Sequence, residues 1–364
     1  MTGVWHVVGT RPNFPKAAPV LAALSVRGVE QRLVHTGQHF DDRLSGLFLR
    51  ELDIRPPDVN LGVGPGSRAE QTARILLAFD ALLAEAAAFG RSPDLVVVYG
   101  DVTSTIASAL ATTQRQIPLA HVEAGLRSFD RSMPEEDNRR VTDAVSTLLF
   151  APSPDAVTNL QREGVDAGSI HLVGNTMIDS LLGHRGSFDV DTARKRFGLS
   201  GSYVVVTLHR PGNVDDQARL ALLVSALHAC ADEVPVLFPV HPRGRRALEE
   251  AGVADHPGIR MLAPLGYTDF HSLAQGASAV ITDSGGVQEE MTVLGVPCLT
   301  IRPNTERPIT ITEGTNQLVT PVSLPGALAE VLRSPPPARS PALWDGHAGE
   351  RIADVITGWT IRVR

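Results

Sequence analysis

Seven short apolar runs in this chain pass directly into turns rich in glycine and charge. They are Val4 to Val8 before GTRP, Arg32 to His35 before TGQH, Leu95 to Tyr99 before GDVTST, Leu119 to Val122 before EAGLRS, Tyr203 to Leu208 before HRPGN, Val236 to Val240 before HPRGR and Val280 to Thr282 before DSGG. After the first, Ala17, Val20, Leu21 and Leu24 recur at helical spacing, so the unit reads strand, loop, helix. Repetition of that unit predicts an α/β protein with parallel, doubly wound sheets. The runs fall into two series, which predicts two sheets, and their polar turns lie at the carboxyl edges where open α/β sheets bind ligands. The small and polar stretch GNTMIDSLLGHRGSFDVD, Gly174 to Asp191, marks the expected crossing between domains. The predicted boundaries are 1–174 and 175–345. The proline-rich SPPPARSPALW, Ser334 to Trp344, leads to a terminal helix, 346–364, carrying Ile352, Val355 and Ile356 and expected to rejoin the first domain.

Charge and composition exclude several classes. Lysine and arginine number 33 against 40 acidic residues, a net charge of -7, which argues against a nucleic-acid partner. Cys230 and Cys298 are too few for a disulfide framework, lack metal-ligand spacing and sit in apolar surroundings, as buried thiols of a reducing cytoplasm do. The opening MTGVWHVVGTRP has no basic n-region or cleavage site, and no apolar stretch reaches about 18 residues, so neither secretion nor a membrane partner is expected. The absence of GxGxxG after the first strand, of GxxxxGK[ST], of HExxH and of paired CxxC argues against nicotinamide, P-loop nucleotide hydrolysis and a common zinc site.

The polar turns hold the candidate chemistry. In AVITDSGGVQEE, Ser284, Gly285 and Gly286 open a helix after a buried strand, where free amides and the helix dipole favour a phosphate; a serine-capped turn would look the same. Glu290, with Glu289 beside it, offers acceptors for ribose hydroxyls or simply compensates the dipole. Arg11, Lys16 and Arg307 lie by turns that could aim cations at phosphate, although a lone arginine there is usually solvated. Asp101 and Glu123, directly after strands, and Glu135 and Glu136 in MPEEDNRR are acid/base candidates, each with a capping or dipole role as the plain alternative. His209, beside Arg210, is an acid or phosphate donor, or a structural imidazole; His121 and His241 carry the same ambiguity.

Taken together, GTRPNFPKAAPV, TGQH, GD, HVEAGLRS, PEEDNRR, HRPGNVD, TDSGGVQEE and TERP resemble, in order and over nearly the whole chain, the non-hydrolysing UDP-N-acetylglucosamine 2-epimerases. The resemblance implies two Rossmann-like domains in a glycosyltransferase-B arrangement with an interdomain active-site cleft, usually as a homodimer, and no redox cofactor. The N-terminal domain would be the sugar and catalytic one and the C-terminal domain the UDP-binding one. It implies interconversion of UDP-N-acetylglucosamine and UDP-N-acetylmannosamine by anti elimination of UDP to 2-acetamidoglucal and syn re-addition, with closure of the cleft excluding water. Removing the C2 proton, which no adjacent carbonyl acidifies, needs a positioned base and stabilisation of departing pyrophosphate.

By motif, the resemblance carries Asp101, Glu123, Glu135 and His209 over as the catalytic group. Arg11, Lys16, Ser284, Gly285, Gly286, Glu290 and Arg307 become nucleotide contacts, with Phe270 as a wall for uracil and Arg210, His241 and Arg243 as further substrate or phosphate contacts. Gln38, His39 and Arg210 would lie where some members bind an allosteric second UDP-N-acetylglucosamine. The chain departs from the frequent GTRPE and HRxEN patterns at Asn13 and at Pro211-Gly212-Asn213, which bears on that regulation more than on catalysis. Three other readings remain: a hydrolysing 2-epimerase, a glycosyltransferase needing an acceptor, and an inactive nucleotide-sugar sensor.

Overall fold

The fold is that of a computed structural model describing residues 3–38, 42–214, 216–240 and 242–363, with all side chains of those residues except 42–45, 47, 211, 242–243 and 360–363. The chain divides into two compact units, Met1–Gly183 with Ala342–Arg364, and His184–Pro341. No described helix is long and apolar enough to cross a membrane.

The first unit holds a seven-stranded sheet. Its strands are β1 (Val4–Val8), β2 (Gln31–His35), β3 (Val59–Asn60), β4 (Leu95–Tyr99), β5 (Leu119–Val122), β6 (Leu148–Ala151) and β7 (Ile170–Leu172). They are parallel throughout, in the order β3-β2-β1-β4-β5-β6-β7. Val4, Val7 and Val8, and all of Leu95–Tyr99, are buried, because helices cover both faces and strands so enclosed need no alternation. One face packs Trp5, Val96 and Val98 against Phe79 and Leu83 of the helix Arg68–Ala88. That helix starts at a capping box, with Ser67 accepting from the Glu70 backbone amide and Glu70 accepting from that of Ser67.

The second unit repeats the design with β8 (Val204–Thr207), β9 (Val236–Pro239), β10 (Ile259–Leu262), β11 (Ala279–Thr282), β12 (Cys298–Ile301) and β13 (Asn316–Val319). Again all are parallel, in the order β10-β9-β8-β11-β12-β13. In each sheet the winding reverses beside the first strand, between β1 and β4 and between β8 and β11. Carboxyl-edge loops diverge at such a reversal and leave a crevice for ligands. Cys230 and Cys298 are free and buried, and burial pushes both thiols up to about 12, so neither is a ready nucleophile.

The terminal helix Ala348–Val363 belongs to the first unit, with Ile352 and Ile356 fully buried. Asp179 accepts a hydrogen bond from the Gly349 amide at 2.6 Å, near the start of that helix. A Cβ on Gly349 would stand 2.7 Å from the Pro19 carbonyl carbon, so the lack of a side chain lets the two helices meet. Gly174 lies inside the first unit with φ of +88°, a conformation glycine adopts without penalty.

Candidate active site

At the crevice of the first sheet, the turn after β1 is tied down by Asn13. Its side-chain oxygen accepts from the amides of Gly9 (3.0 Å) and Thr10 (3.1 Å), and its side-chain nitrogen donates to the Tyr99 carbonyl at 2.9 Å. A carboxylate could accept the first two bonds but could not donate the third, which gives a physical reason for asparagine at this position. The turn delivers Lys16, buried in the helix Phe14–Val26, onto the carboxylate of Glu123, also buried, at the end of β5. Glu123 has φ of +75°, left-handed backbone costly for a residue with a side chain and often found at functional sites. Gly100, with φ of +62°, closes β4; a Cβ there would stand 2.7 Å from Lys16 Nζ and 2.9 Å from Glu123 Oε2.

Asp101 follows Gly100 and is paired with Arg139 of the helix Pro134–Val145. The same guanidinium donates to Glu136 Oε2 at 2.6 Å. Glu136 in turn accepts from the amides of Ser128 (2.8 Å) and Phe129 (3.1 Å), holding the 124–133 loop. Burial would raise its carboxyl, but Arg139 and the Ser128 bonds hold it below the usual carboxylate range. Glu135, the neighbour singled out from the sequence, is half-buried and makes no hydrogen bond or ion pair among the described residues. Among the described residues the adjacent glutamates thus differ: one anchors a loop and the other has no polar partner.

Arg11 lies over the Phe48 ring, 4.4 Å from its centroid. Gln38 is buried, and its side-chain oxygen accepts from the Ser104 amide (3.0 Å) and hydroxyl (2.6 Å). It thereby serves the first turn of the helix Thr103–Gln114, whose own N-cap, Val102, has no side chain able to do so. His39 lies outside the described residues.

At the crevice of the second sheet the central group is Asp283, fully buried after β11. It accepts from the backbone amides of His209 (3.1 Å) and Arg210 (2.9 Å), from the Asn213 side chain (3.0 Å), and lies 2.9 Å from His209 Nδ1. Burial would raise Asp283, yet the His209 ring and these donors keep it below the ordinary carboxylate range. The pairing orients His209, whose side chain stays more than half exposed, so that Nδ1 faces the protein. Asn213, which keeps the last position of HRxEN while Gly212 replaces its glutamate, is part of this anchor. Sequence reasoning placed Asp283 in the phosphate turn but did not identify it as the partner of His209; a lone aspartate ending an apolar strand was the available signal.

Ser284 precedes the helix Gly285–Leu294, and its amide donates to Thr282 Oγ1 at 3.0 Å. Gly285 and Gly286 form the first turn of that helix. A Cβ on Gly285 would meet Arg307 Nη1 at 2.5 Å and Glu306 Oε1 at 2.8 Å, so a buried charge cluster lies against this turn. In it Arg307 pairs with Glu306 and, at 2.8 Å, with Glu289, while Arg302 pairs with Glu306 at 2.5 Å. Glu290 meets His271 Nε2 at 3.1 Å, and the Tyr267 hydroxyl is 3.4 Å away. Phe270 is half-buried, edge-on to His271 at 5.2 Å between centroids, and packs on the unit's apolar core. His241 lies outside the described residues, as does the side chain of Arg243.

Two parallel doubly wound sheets, each with paired or anchored charges at its switch point, define a protein of the glycosyltransferase-B-like fold class, built of two Rossmann-like domains. A family model described as UDP-N-acetylglucosamine 2-epimerase matches residues 22–357. The UDP-N-acetylglucosamine 2-epimerase of Methanocaldococcus jannaschii is 37% identical over 363 residues, covering 96% of this chain and 98% of the relative. The UDP-2,3-diacetamido-2,3-dideoxy-D-glucuronate 2-epimerase of Pseudomonas aeruginosa is 41% identical over 320 residues, covering 86% and 87% respectively. A crystal structure of the Methanocaldococcus jannaschii enzyme in complex with UDP-GlcNAc and UDP is similar with a TM-score of 0.89 at 36% identity, covering 98% of this chain and 99% of the other. The chain belongs to the UDP-N-acetylglucosamine 2-epimerase family and is an isomerase of that family.

Proposed function

We propose that this chain interconverts UDP-N-acetylglucosamine and UDP-N-acetylmannosamine without hydrolysis, through a bound 2-acetamidoglucal. In the forward direction a base takes the C2 proton, the C1–O bond to UDP breaks and a C1–C2 double bond forms. UDP then re-adds at C1 while a proton reaches C2 from the opposite face. The first unit supplies the groups that act on the sugar: Asp101, Glu123 and Glu135, with Lys16 balancing Glu123. The second unit supplies the groups that hold the nucleotide: Ser284, Gly285 and Gly286 at a helix start, Glu290 toward the ribose, and His209 with Arg210 toward pyrophosphate. Arg11, Arg307, His241, Arg243 and Phe270 complete the proposed substrate contacts. Gln38 and His39 are proposed for a second nucleotide sugar, and the working form is proposed to be a cytoplasmic homodimer.

The observation that carries this reading is the buried Lys16–Glu123 pair beside Asp101, with Glu123 held in left-handed backbone. A carboxylate kept in strained geometry at a ligand edge fits proton transfer better than a turn or cap. Incubation with UDP-N-acetylglucosamine in deuterated water, followed by proton NMR, tests it. Deuterium at C2 with UDP-N-acetylmannosamine is the expected result; UDP with free N-acetylmannosamine would establish the hydrolysing branch. Binding without exchange would make the chain a sensor, and turnover only with an acceptor a transferase.

A second substrate reading has specific support. The Pseudomonas relative, named for a 2,3-diacetamido uronate, shares more identity over its match than the Methanocaldococcus epimerase does over its own. A higher kcat/KM for UDP-2,3-diacetamido-2,3-dideoxy-D-glucuronate than for UDP-N-acetylglucosamine would move the assignment to that sugar.

A further inference from the structure

We propose that His121 is a positioning residue that stays protonated on both ring nitrogens and, as an imidazolium, holds the Gly100 peptide in the orientation the neighbouring acid/base groups require. The proposal rests on the epimerase reading for its kinetic consequence, but not for its protonation state. His121 is fully buried in β5. Its Nδ1 lies 2.6 Å from Asp143 Oδ1 and its Nε2 lies 2.8 Å from the Gly100 carbonyl oxygen. A carbonyl can only accept, and so can an ionised carboxylate. A neutral imidazole has one N–H and would turn a lone pair toward one of these acceptors; an imidazolium donates to both.

The surroundings fit that charge. Asp143, from the helix Pro134–Val145, also accepts from the Gly125 amide at 3.1 Å and from Arg127 at 2.7 Å. Burial would raise its carboxyl, but His121 and Arg127 outweigh burial and hold it below the ordinary range. Arg127, on the 124–133 loop, pairs further with Glu163, beyond the helix Pro154–Arg162, at 2.6 Å. Glu163 also lies 3.6 Å from Arg140, so charge balance does not set the state of the ring; the two acceptors that face its two nitrogens do. One turn earlier on Asp143's helix, Arg139 is already committed to Asp101 and Glu136.

The mechanical consequence lies at Gly100. Its amide donates to the Val122 carbonyl at 3.0 Å and its carbonyl accepts from His121, fixing both faces of a residue with φ of +62°. That residue lies against the Lys16–Glu123 pair and precedes Asp101. Turning the Gly100 carbonyl would therefore move Asp101 and crowd Glu123, and displacements of this kind cost about 100-fold in rate.

Nitrogen-15 NMR of the imidazole rings tests the protonation, with His121→Asn assigning the signal. Two protonated ring nitrogens at neutral pH are expected; one protonated nitrogen overturns the proposal. In kinetics, folded His121→Asn is expected to lose about 100-fold in kcat with little change in KM. Asp143→Asn is expected to abolish the doubly protonated signal and lower kcat in parallel. A folded His121→Asn with wild-type kcat would also overturn the positioning role. If the unsubstituted protein shows no epimerisation, the functional reading fails, while the ring spectrum still decides the charge of His121.

Discussion

The two sheets share one winding, yet they handle charge at their switch points in opposite ways. In the first unit the acid/base candidates Asp101 and Glu123 are already matched with cations, Arg139 and Lys16, and Glu123 is both buried and strained. In the second, the buried carboxylate Asp283 serves as an anchor: it gathers two backbone amides and a side-chain amide and leaves His209 facing outward. The difference teaches that topology sets where a site lies while loop residues set its character. A buried, balanced pair suits proton transfer, because charges in a dry environment act strongly and need little reorganisation. An outward imidazole fixed through one nitrogen suits holding a ligand that arrives and leaves.

The largest effect should come from breaking the first arrangement. Glu123→Gln is expected to lower C2 exchange about 1000-fold, the range of a lost acid/base group, with UDP affinity by calorimetry little changed. Retained exchange would remove Glu123 from the chemistry. The same change leaves Lys16 buried without its partner and should lower stability; adding Lys16→Met should recover stability in urea melts without recovering exchange. In the second unit, Asp283→Asn should lower kcat/KM by about 100-fold and weaken UDP binding, since His209 and the 209–213 turn lose one anchor together. If it altered exchange but not UDP binding, the proposed division of labour would be wrong.

Gly100→Ala sharpens the geometry of the first site. A Cβ at φ of +62° costs about 1–2 kcal/mol and crowds Lys16 and Glu123, so a lower denaturation midpoint should accompany a drop in kcat. An effect on stability alone, with none expected on turnover, comes from Asp179. Burial raises the Asp179 carboxyl to about 6, so the folded state holds this proton more tightly than the unfolded chain does. Its contribution is present below about pH 4 and is lost as pH rises through about 6, on the order of 2–3 kcal/mol. Asp179→Asn should remove that slope, read as the wild-type-minus-variant difference in urea stability against pH. His6 and His35, pushed down to about 3 and about 4 mainly by burial, act with the opposite sign, and the difference between the two proteins cancels them.

Strands read from apolar runs were legible where the run was long enough to stand out. Val4–Val8, Leu95–Tyr99 and Leu119–Val122 were read with the bounds they adopt, and Tyr203 to Leu208 was one residue too long at each end. The short β3, with only Val59 and Asn60, and β13, which reads NQLV, carry too little pattern to be seen. Among the candidate site residues, Asp101, Glu123 and His209 stand out in the sequence because a polar or charged group directly after a buried run demands a reason. The residue pattern alone does not separate Glu135 from Glu136, since both open one helix; the resemblance singles out Glu135, and only the folded loop at Ser128 shows Glu136 as its anchor. Asp283's hold on His209 was hidden because hydrogen-bond partners 74 residues apart leave no local spacing.

The sequence by itself therefore determined the alternation of strand and helix, the carboxyl-edge position of the polar turns and the family to which they point, because these depend on neighbours a few residues apart. Which charges meet was decided only by tertiary structure. Lys16 and Glu123 are 107 residues apart, and His121 and Asp143 are 22 apart. Only the winding order of the sheet brings such groups within hydrogen-bond reach, and burial there makes their pairing obligatory, since an unmatched charge removed from water costs more than the fold can spare.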